Sequence, residues 1–289
     1  MGVRTITSLM TVLALAAVNL PATAASLRSL VETEYAFAQA AEENGTRYAY
    51  LFYLAPDAIG FEPGPVLIYP RWKERLLTKG KLQWYPAYAE INRAGDLAYT
   101  VGPWTYTSPV THELAYGGFV TIWRYSHEDS GDANWRVILQ AGVTHGPPGK
   151  TAKALHPSDV SARALDQPAG SEPENRAATG ACDDRYGAAL MKHGEAAAFG
   201  KFAARNASLY VLGQQPAAGR KQALSLLAPF AEPSAQTRQL AGGGASPDLG
   251  YTYGVVQFSQ AGAQYYLRIW RIHGATCRLV FELLRPKLS

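Results

Sequence analysis

A chain of 289 residues with 47% hydrophobic and 17% charged side chains has the balance of a folded globular protein, long enough for two domains. Its formal charge of +4 is not gathered into basic runs, which argues against a nucleic-acid partner. Aromatic residues make up 11%, with 17 Tyr and 6 Trp, enough to line a pocket or bury an interface.

The first 24 residues read as an export signal: Arg4 is a short basic start, Leu9 to Leu20 an apolar run, and Pro21-Ala22-Thr23-Ala24 a small-residue cleavage pattern. The run is shorter than the roughly 20 apolar residues a membrane span needs. No Cys follows the cleavage site, so a lipid anchor there is not expected. The expectation is an exported protein, periplasmic or secreted, without a membrane span.

Leu27, Leu30, Val31, Tyr35 and Ala38 recur at helical spacing, and Asn44-Gly45 separates this helix from a second one that runs from Thr46 to Leu54. A strand at 58–61, a turn at Glu62-Pro63-Gly64-Pro65 and a short helix from Pro70 come next. Four β segments follow: Leu82–Asn92, Leu97–Tyr106, Leu114–Tyr125 and Trp135–Thr144, with a hairpin loop at 126–134. Gly146 to Ala181 is rich in Pro and lacks periodicity, so residues 147–181 read as a linker that leaves the arrangement of its flanks open. Helices at 183–204, a strand at 208–212, a helix at 221–227 and β segments at 239–241, 249–259, 263–272 and 277–284 complete the chain.

The second half echoes the first. Asp96-Leu97-Ala98-Tyr99-Thr100-Val101-Gly102 returns as Asp248-Leu249-Gly250-Tyr251-Thr252-Tyr253-Gly254, and Ile122-Trp123-Arg124 as Ile269-Trp270-Arg271. Glu34-Tyr35 is matched to Arg185-Tyr186. Matches in one order, at nearly constant offset, indicate one domain built twice. The expected divisions are 1–24 signal, 25–146 first domain, 147–181 linker and 182–289 second domain. Cys182 and Cys277 fall in the second domain, and in an oxidising compartment they are expected to pair.

Glu34-Tyr35, the run from Ala55 to Pro65, Gly95 to Trp104, Ile122-Trp123-Arg124 and Trp135-Arg136-Val137-Ile138 resemble the nuclear transport factor 2-like superfamily, in particular its exported bacterial SnoaL-like branch. The resemblance implies an α+β fold of two tandem cone-shaped domains, each with N-terminal helices packed on a curved, mostly antiparallel sheet. It also implies a pocket for a small, usually apolar molecule, and sheet-to-sheet pairing of the two copies into an intramolecular pseudo-dimer. Members related to ketosteroid isomerase, an enzyme that also serves as a general example of tuned carboxyl groups, use a helix-one Tyr as donor and a carboxylate just before a Pro as base. Tyr35 and Glu62 occupy those places here, while Thr121 stands where the family has a strand Asp. In the second copy Glu62 becomes Val211, which cannot act as a base, and that copy is expected to be poorer in polar groups.

The period of two on the strands puts Trp104 with Tyr106, Thr121 with Trp123, and Ile138 with Gln140 on like faces. With Asp57 and Trp72 they are the candidate pocket: Asp57, Trp72, Trp104, Tyr106, Trp123 and Gln140. Parity leaves open which face lines the pocket; Gln140 is assigned to the pocket and some of the Trp residues to the interface. Gly146-Pro147-Pro148-Gly149-Lys150-Thr151 imitates the end of a phosphate loop, but Thr144 stands where a Gly is needed and the prolines remove backbone donors. The six His residues show no metal-ligand spacing, and neither a metal nor a cofactor is expected. The leading expectation is binding of a small, largely apolar molecule by the first domain. Proton-transfer catalysis by Glu62 and Tyr35 with Thr121, and a non-catalytic structural or protein-interaction role, are the alternatives.

Overall fold

The computed structural model describes residues 25–77, 79–127, 133–150, 152–160, 171–244 and 246–287. The expected signal segment, 1–24, lies outside them. The first helix, α1 (Leu27–Asn44), starts where the Ser26 side chain accepts a hydrogen bond from the Ser29 amide, and buries Leu30, Val31, Glu34, Phe37, Ala38 and Ala41 along one stripe. Helix α2 (Thr46–Tyr53) follows, and β1 (Leu54–Phe61) begins earlier than expected. Pro56 is accommodated there because it sits in a register shift between Leu54 and Ile59, where its missing N–H breaks no ladder bond. After β2 (Pro65–Leu67) and α3 (Ile68–Glu74) the expected strand Leu82–Asn92 is split into β3 (Lys81–Trp84) and β4 (Tyr88–Ile91). Pro86 lies in the break, and both pieces pair with β5 (Leu97–Thr107). Strands β6 (Leu114–His127) and β7 (Ala133–His145) close the first sheet, whose order is β2-β1-β7-β6-β5-β3. Because α1 lies on β3, β4 and β5, α2 on β7 and α3 on β1, the sheet wraps around its helices.

The second half repeats this plan. Helix α4 (Glu172–His193) starts inside the expected linker, which is therefore shorter than 147–181, and α5 (Glu195–Phe202) follows after Gly194. Strands β8 (Ala203–Val211) and β9 (Ala217–Ala218), helix α6 (Arg220–Leu226), and strands β10 (Pro233–Gly243), β11 (Leu249–Phe258), β12 (Gly262–His273) and β13 (Thr276–Pro286) complete it. The sheet order is β10-β11-β12-β13-β8-β9, and β8 runs parallel to β13 as β1 does to β7. The protein is thus α+β with two similar halves, in the element order the resemblance implies. Cys182 and Cys277 form a disulfide, with Cα atoms 5.7 Å apart, between α4 and the start of β13. Among the described residues no helix is long and apolar enough to cross a membrane.

The halves meet through the sheet faces that point away from the helices. Val120 and Ile122, which flank Thr121, and their counterparts Leu267 and Ile269, which flank Arg268, are all buried in one shared apolar cluster. Phe61 adds edge-on contacts to Tyr253 and Tyr265, at ring separations of 5.9 and 6.4 Å. The adjacent glycines of β6 serve opposite faces: a Cβ on Gly118 would lie 2.5 Å from the Tyr210 ring of the second half, and one on Gly117 would lie 2.2 Å from the Trp104 indole. Polar ties surround the contact, with Arg271 bidentate on Glu90 at 2.6 Å and the Arg93 amide on Asp248 at 3.1 Å. The described part of the linker does not hang free. Tyr85 donates to the Ala152 carbonyl at 2.8 Å, Leu155 N–H to Pro86 at 2.8 Å, and Gln215 to Gly146 and Pro147.

Candidate functional site

Between α2, α3 and the concave side of the first sheet lies a cavity of about 340 Å³. Its walls are aromatic: Tyr50 stacks on Trp72 at 3.9 Å, and Trp84, Trp104, Tyr106 and Phe119 come in from the strands. Trp84 and Trp104 are direct cross-strand partners. Gln140 supplies a polar group on the wall, and Arg75 and Glu62 stand at the mouth, 2.8 Å apart. Burial raises the Tyr50 hydroxyl's pKa, so it remains a neutral donor. An apolar enclosure with a few polar fixings is the usual make-up of a small-molecule site.

Of the six residues expected to line a pocket, Trp72, Trp104, Tyr106 and Gln140 come together here, joined by Glu62. Asp57 does not: it lies on the surface in an ion pair with Arg124 at 3.1 Å. Trp123 does not either, being fully buried beneath the cavity, where its indole donates to Glu34 and Thr100. Trp123, expected to line the pocket, is therefore core; Val120 and Ile122, of opposite parity, make the interface.

The expected catalytic set is not assembled. Glu62 is held by Arg75 and, at 3.9 Å, by Arg71, with 29% of its side chain exposed. Tyr35 lines a different space, a groove of about 1160 Å³ shared by both halves, where its ring stacks beside His156 and its hydroxyl has no partner among the described residues. Thr121 is fully buried between Thr100 and Gln140, its hydroxyl likewise unpartnered among the described residues. A base and an oxyanion donor must reach one reacting centre, and these face different spaces. Among the described residues no three His, Cys, Asp or Glu side chains are grouped to hold a metal ion.

Beneath the cavity lies a carboxylate that sequence reading placed only as a structural motif. Glu34 is fully buried and accepts from Trp84 at 2.6 Å, Thr100 at 2.5 Å and Trp123 at 3.2 Å. Desolvation raises its pKa, with the three hydrogen bonds opposing. The second half has the same device: Asp183 accepts from Thr252 at 3.1 Å, and Trp270 donates to Thr252 at 3.0 Å. By contact, then, Glu34 corresponds to Asp183, and the match of Glu34-Tyr35 with Arg185-Tyr186 is two residues out of step.

The halves differ in what fills the space above the carboxylate. Cross-strand pairing sets Thr121 opposite Gln140 in the first sheet and Arg268 opposite Glu282 in the second. Arg268 is fully buried, 3.0 Å from Asp183, 2.7 Å from Glu282 and 4.0 Å from Glu195, with its guanidinium 4.1 Å from the centres of both the Tyr186 and Tyr266 rings. This corrects the expectation that the second copy is poorer in polar groups: its charges are inside, and they occupy the space. The signal was present as an arginine between Leu267 and Ile269, at the parity that faces the helices.

Glu195 in this cluster is pushed up to about 8, first by burial and then by the charge of Glu282, with Arg268 opposing. A carboxyl whose folded pKa is raised takes up a proton on folding, so its stabilisation is complete at low pH and declines between 4.5 and about 8. The melting temperature is expected to fall across that window, and Glu195→Gln to flatten the slope. Calorimetry at a series of pH values checks this, and an unchanged slope in the variant would remove Glu195 as the cause.

No family model and no curated protein matches the chain. Among solved structures it is similar to an NTF-2 like protein of unknown function from Silicibacter pomeroyi DSS-3, at 15% identity and a TM-score of 0.32, over 40% of this chain and 98% of that one. It is also similar to an NTF-2 like protein of unknown function from Burkholderia xenovorans LB400, at 13% identity and a TM-score of 0.31, over 40% and 88%. A third is a protein of unknown function with a cystatin-like fold from Nostoc punctiforme PCC 73102, at 13% identity and a TM-score of 0.32, over 42% and 97%. Each likeness spans less than half of this chain and concerns fold alone.

Proposed function

We propose that the chain is an exported binding protein that holds a small, largely apolar molecule in the cavity of its first half, while the second half is its packed partner in an intramolecular pseudo-dimer. The observation that carries this reading is the contrast between two copies of one frame. The first leaves about 340 Å³ open among aromatic rings, and the second fills the corresponding space with Arg268 and its carboxylates. The separation of Glu62 from Tyr35 favours binding over proton transfer.

Native mass spectrometry of the protein purified from its own compartment tests the reading. The expected result is a retained small molecule on the wild-type chain that is lost in Ala115→Trp. Ala115 is an exposed residue at the cavity edge, so the larger side chain obstructs entry without disturbing the core. Retention by the blocked variant would place the molecule elsewhere. Absence of bound mass, with no change in tryptophan fluorescence on adding apolar probes, would end the proposal.

A further inference from the structure

The mouth of the first cavity is unequally charged. Among the described residues Glu62 is the one carboxylate in its wall, and Arg75, across the mouth, pairs with it at 2.8 Å while lying 4.2 Å from the centre of the Trp72 ring. Arg71, one turn back on α3, stands 3.9 Å from the same carboxylate and is half exposed, so the pairing leaves its charge largely unspent. A third guanidinium comes from the other half. Arg285 of β13 donates to the carbonyl of Phe61 at 2.9 Å and lies 3.5 Å from that of Gly142, both residues of the cavity wall. Its Nε is buried without a partner among the described residues. Burial lowers the pKa of Arg285, and the charge of Glu62 opposes that shift, while the ion pairs of Glu62 go to Arg71 and Arg75.

We infer that the ligand of this cavity is an amphipathic anion, an apolar body with a single carboxylate-type head, whose body lies among Trp72, Trp104 and Phe119 and whose head is received by Arg71 and Arg75 at the mouth. The inference rests on the proposal that the cavity binds a small apolar molecule, and it adds the charge of the head group. An arginine presents a planar fork of donors that matches a carboxylate, and pairing across a half-exposed mouth avoids the cost of burying an ion. Arg285 acts from behind the wall as a fixed positive charge contributed by the second half, which gives the fused pair a role in the site of the first. Glu62 is then a placeholder that holds Arg71 of α3 and Arg75, just past its end, until the ligand's head group competes for them.

Three probes of equal chain length separate head from body: sodium octanoate, 1-octanol and octylammonium chloride, titrated into the full chain at low ionic strength with tryptophan fluorescence and calorimetric readouts. Octanoate is expected to bind about tenfold more tightly than octanol, the scale of a charge-assisted hydrogen bond, with octylammonium weakest. The double variant Arg71→Gln/Arg75→Gln should bring octanoate to or below octanol, with the loss for octanol several-fold smaller than the loss for octanoate. Glu62→Gln should act in the opposite direction and tighten octanoate binding, which a merely structural loss would not do. Equal affinity for octanoate and octanol in the wild-type chain, or a preference for octylammonium, would overturn the anionic head and leave the apolar cavity standing. Failure of all three probes to bind would overturn both.

Discussion

Arg268→Met is expected to cost the second half about 3–5 kcal/mol, the scale of leaving buried charge uncompensated. The methionine has a similar length and fits among Tyr186 and Tyr266, so the loss is electrostatic rather than one of volume. Asp183, Glu195 and Glu282 are all fully buried, and Arg268 is the cation that faces them, with its Nε on Glu282 at 2.7 Å and its Nη1 on Asp183 at 3.0 Å. Removing it pushes Glu195 and Glu282, both already raised by burial, further toward their protonated forms. Urea denaturation at neutral pH should show the midpoint fall sharply, with partial recovery when Glu195→Gln and Glu282→Gln are added. A variant that unfolds at the wild-type midpoint would mean that these charges are not coupled as described. The same change in the first half is already written in the sequence: Thr121 holds the place of Arg268, Gln140 that of Glu282, and a cavity lies beside them.

The repeated Asp-Leu-x-Tyr-Thr-x-Gly was legible because nearly every shared position has the same duty twice. Thr100 and Thr252 both bridge a buried carboxylate and a tryptophan indole, and Leu97 and Leu249 are both buried in the cluster between the halves. Such paired constraints keep the letters alike, and alternation along β5 and β11 then fixes two sets of residues per strand. What alternation does not reveal is which set faces the helices. That choice depends on the second half covering Val120 and Ile122, a partner invisible from within one strand, and parity alone does not separate Trp123, a core residue, from the pocket wall. Helix register was misread for a related reason. The Glu34-Tyr35 pair resembles Arg185-Tyr186 by letter, whereas the buried carboxylate fixes the correspondence at Asp183 by contact. The separation of Glu62 from Tyr35 was beyond reach altogether, because it depends on how far the sheet wraps between β1 and β5. Pro86 and Pro56 were visible as residues; the break between β3 and β4 and the tolerated bulge in β1 follow from whether a neighbouring strand required their missing N–H.

Loss of the disulfide should be the second large effect, about 2–5 kcal/mol, because the bridge closes a long loop. Cys182 and Cys277 are separated by 95 residues, and cross-linking a loop of about that size removes roughly 4–5 kcal/mol of unfolded-chain entropy on a chain-entropy model. The bridge also has a local duty. It pins α4 to the start of β13, and those two elements carry Asp183 and Glu282, the carboxylates that divide the Arg268 guanidinium between them. Loosening either element should therefore relax the charge cluster as well as lengthen the free chain. Thermal unfolding of the oxidised protein, the reduced protein and Cys182→Ala/Cys277→Ala is the measurement. The reduced form and the double variant should melt together, well below the oxidised form, and the drop should shrink when Arg268→Met is already present, since part of what the bridge protects has then gone. Coincident melting of all three forms would show that packing alone holds α4 against β13, and the two effects would have to be treated as independent.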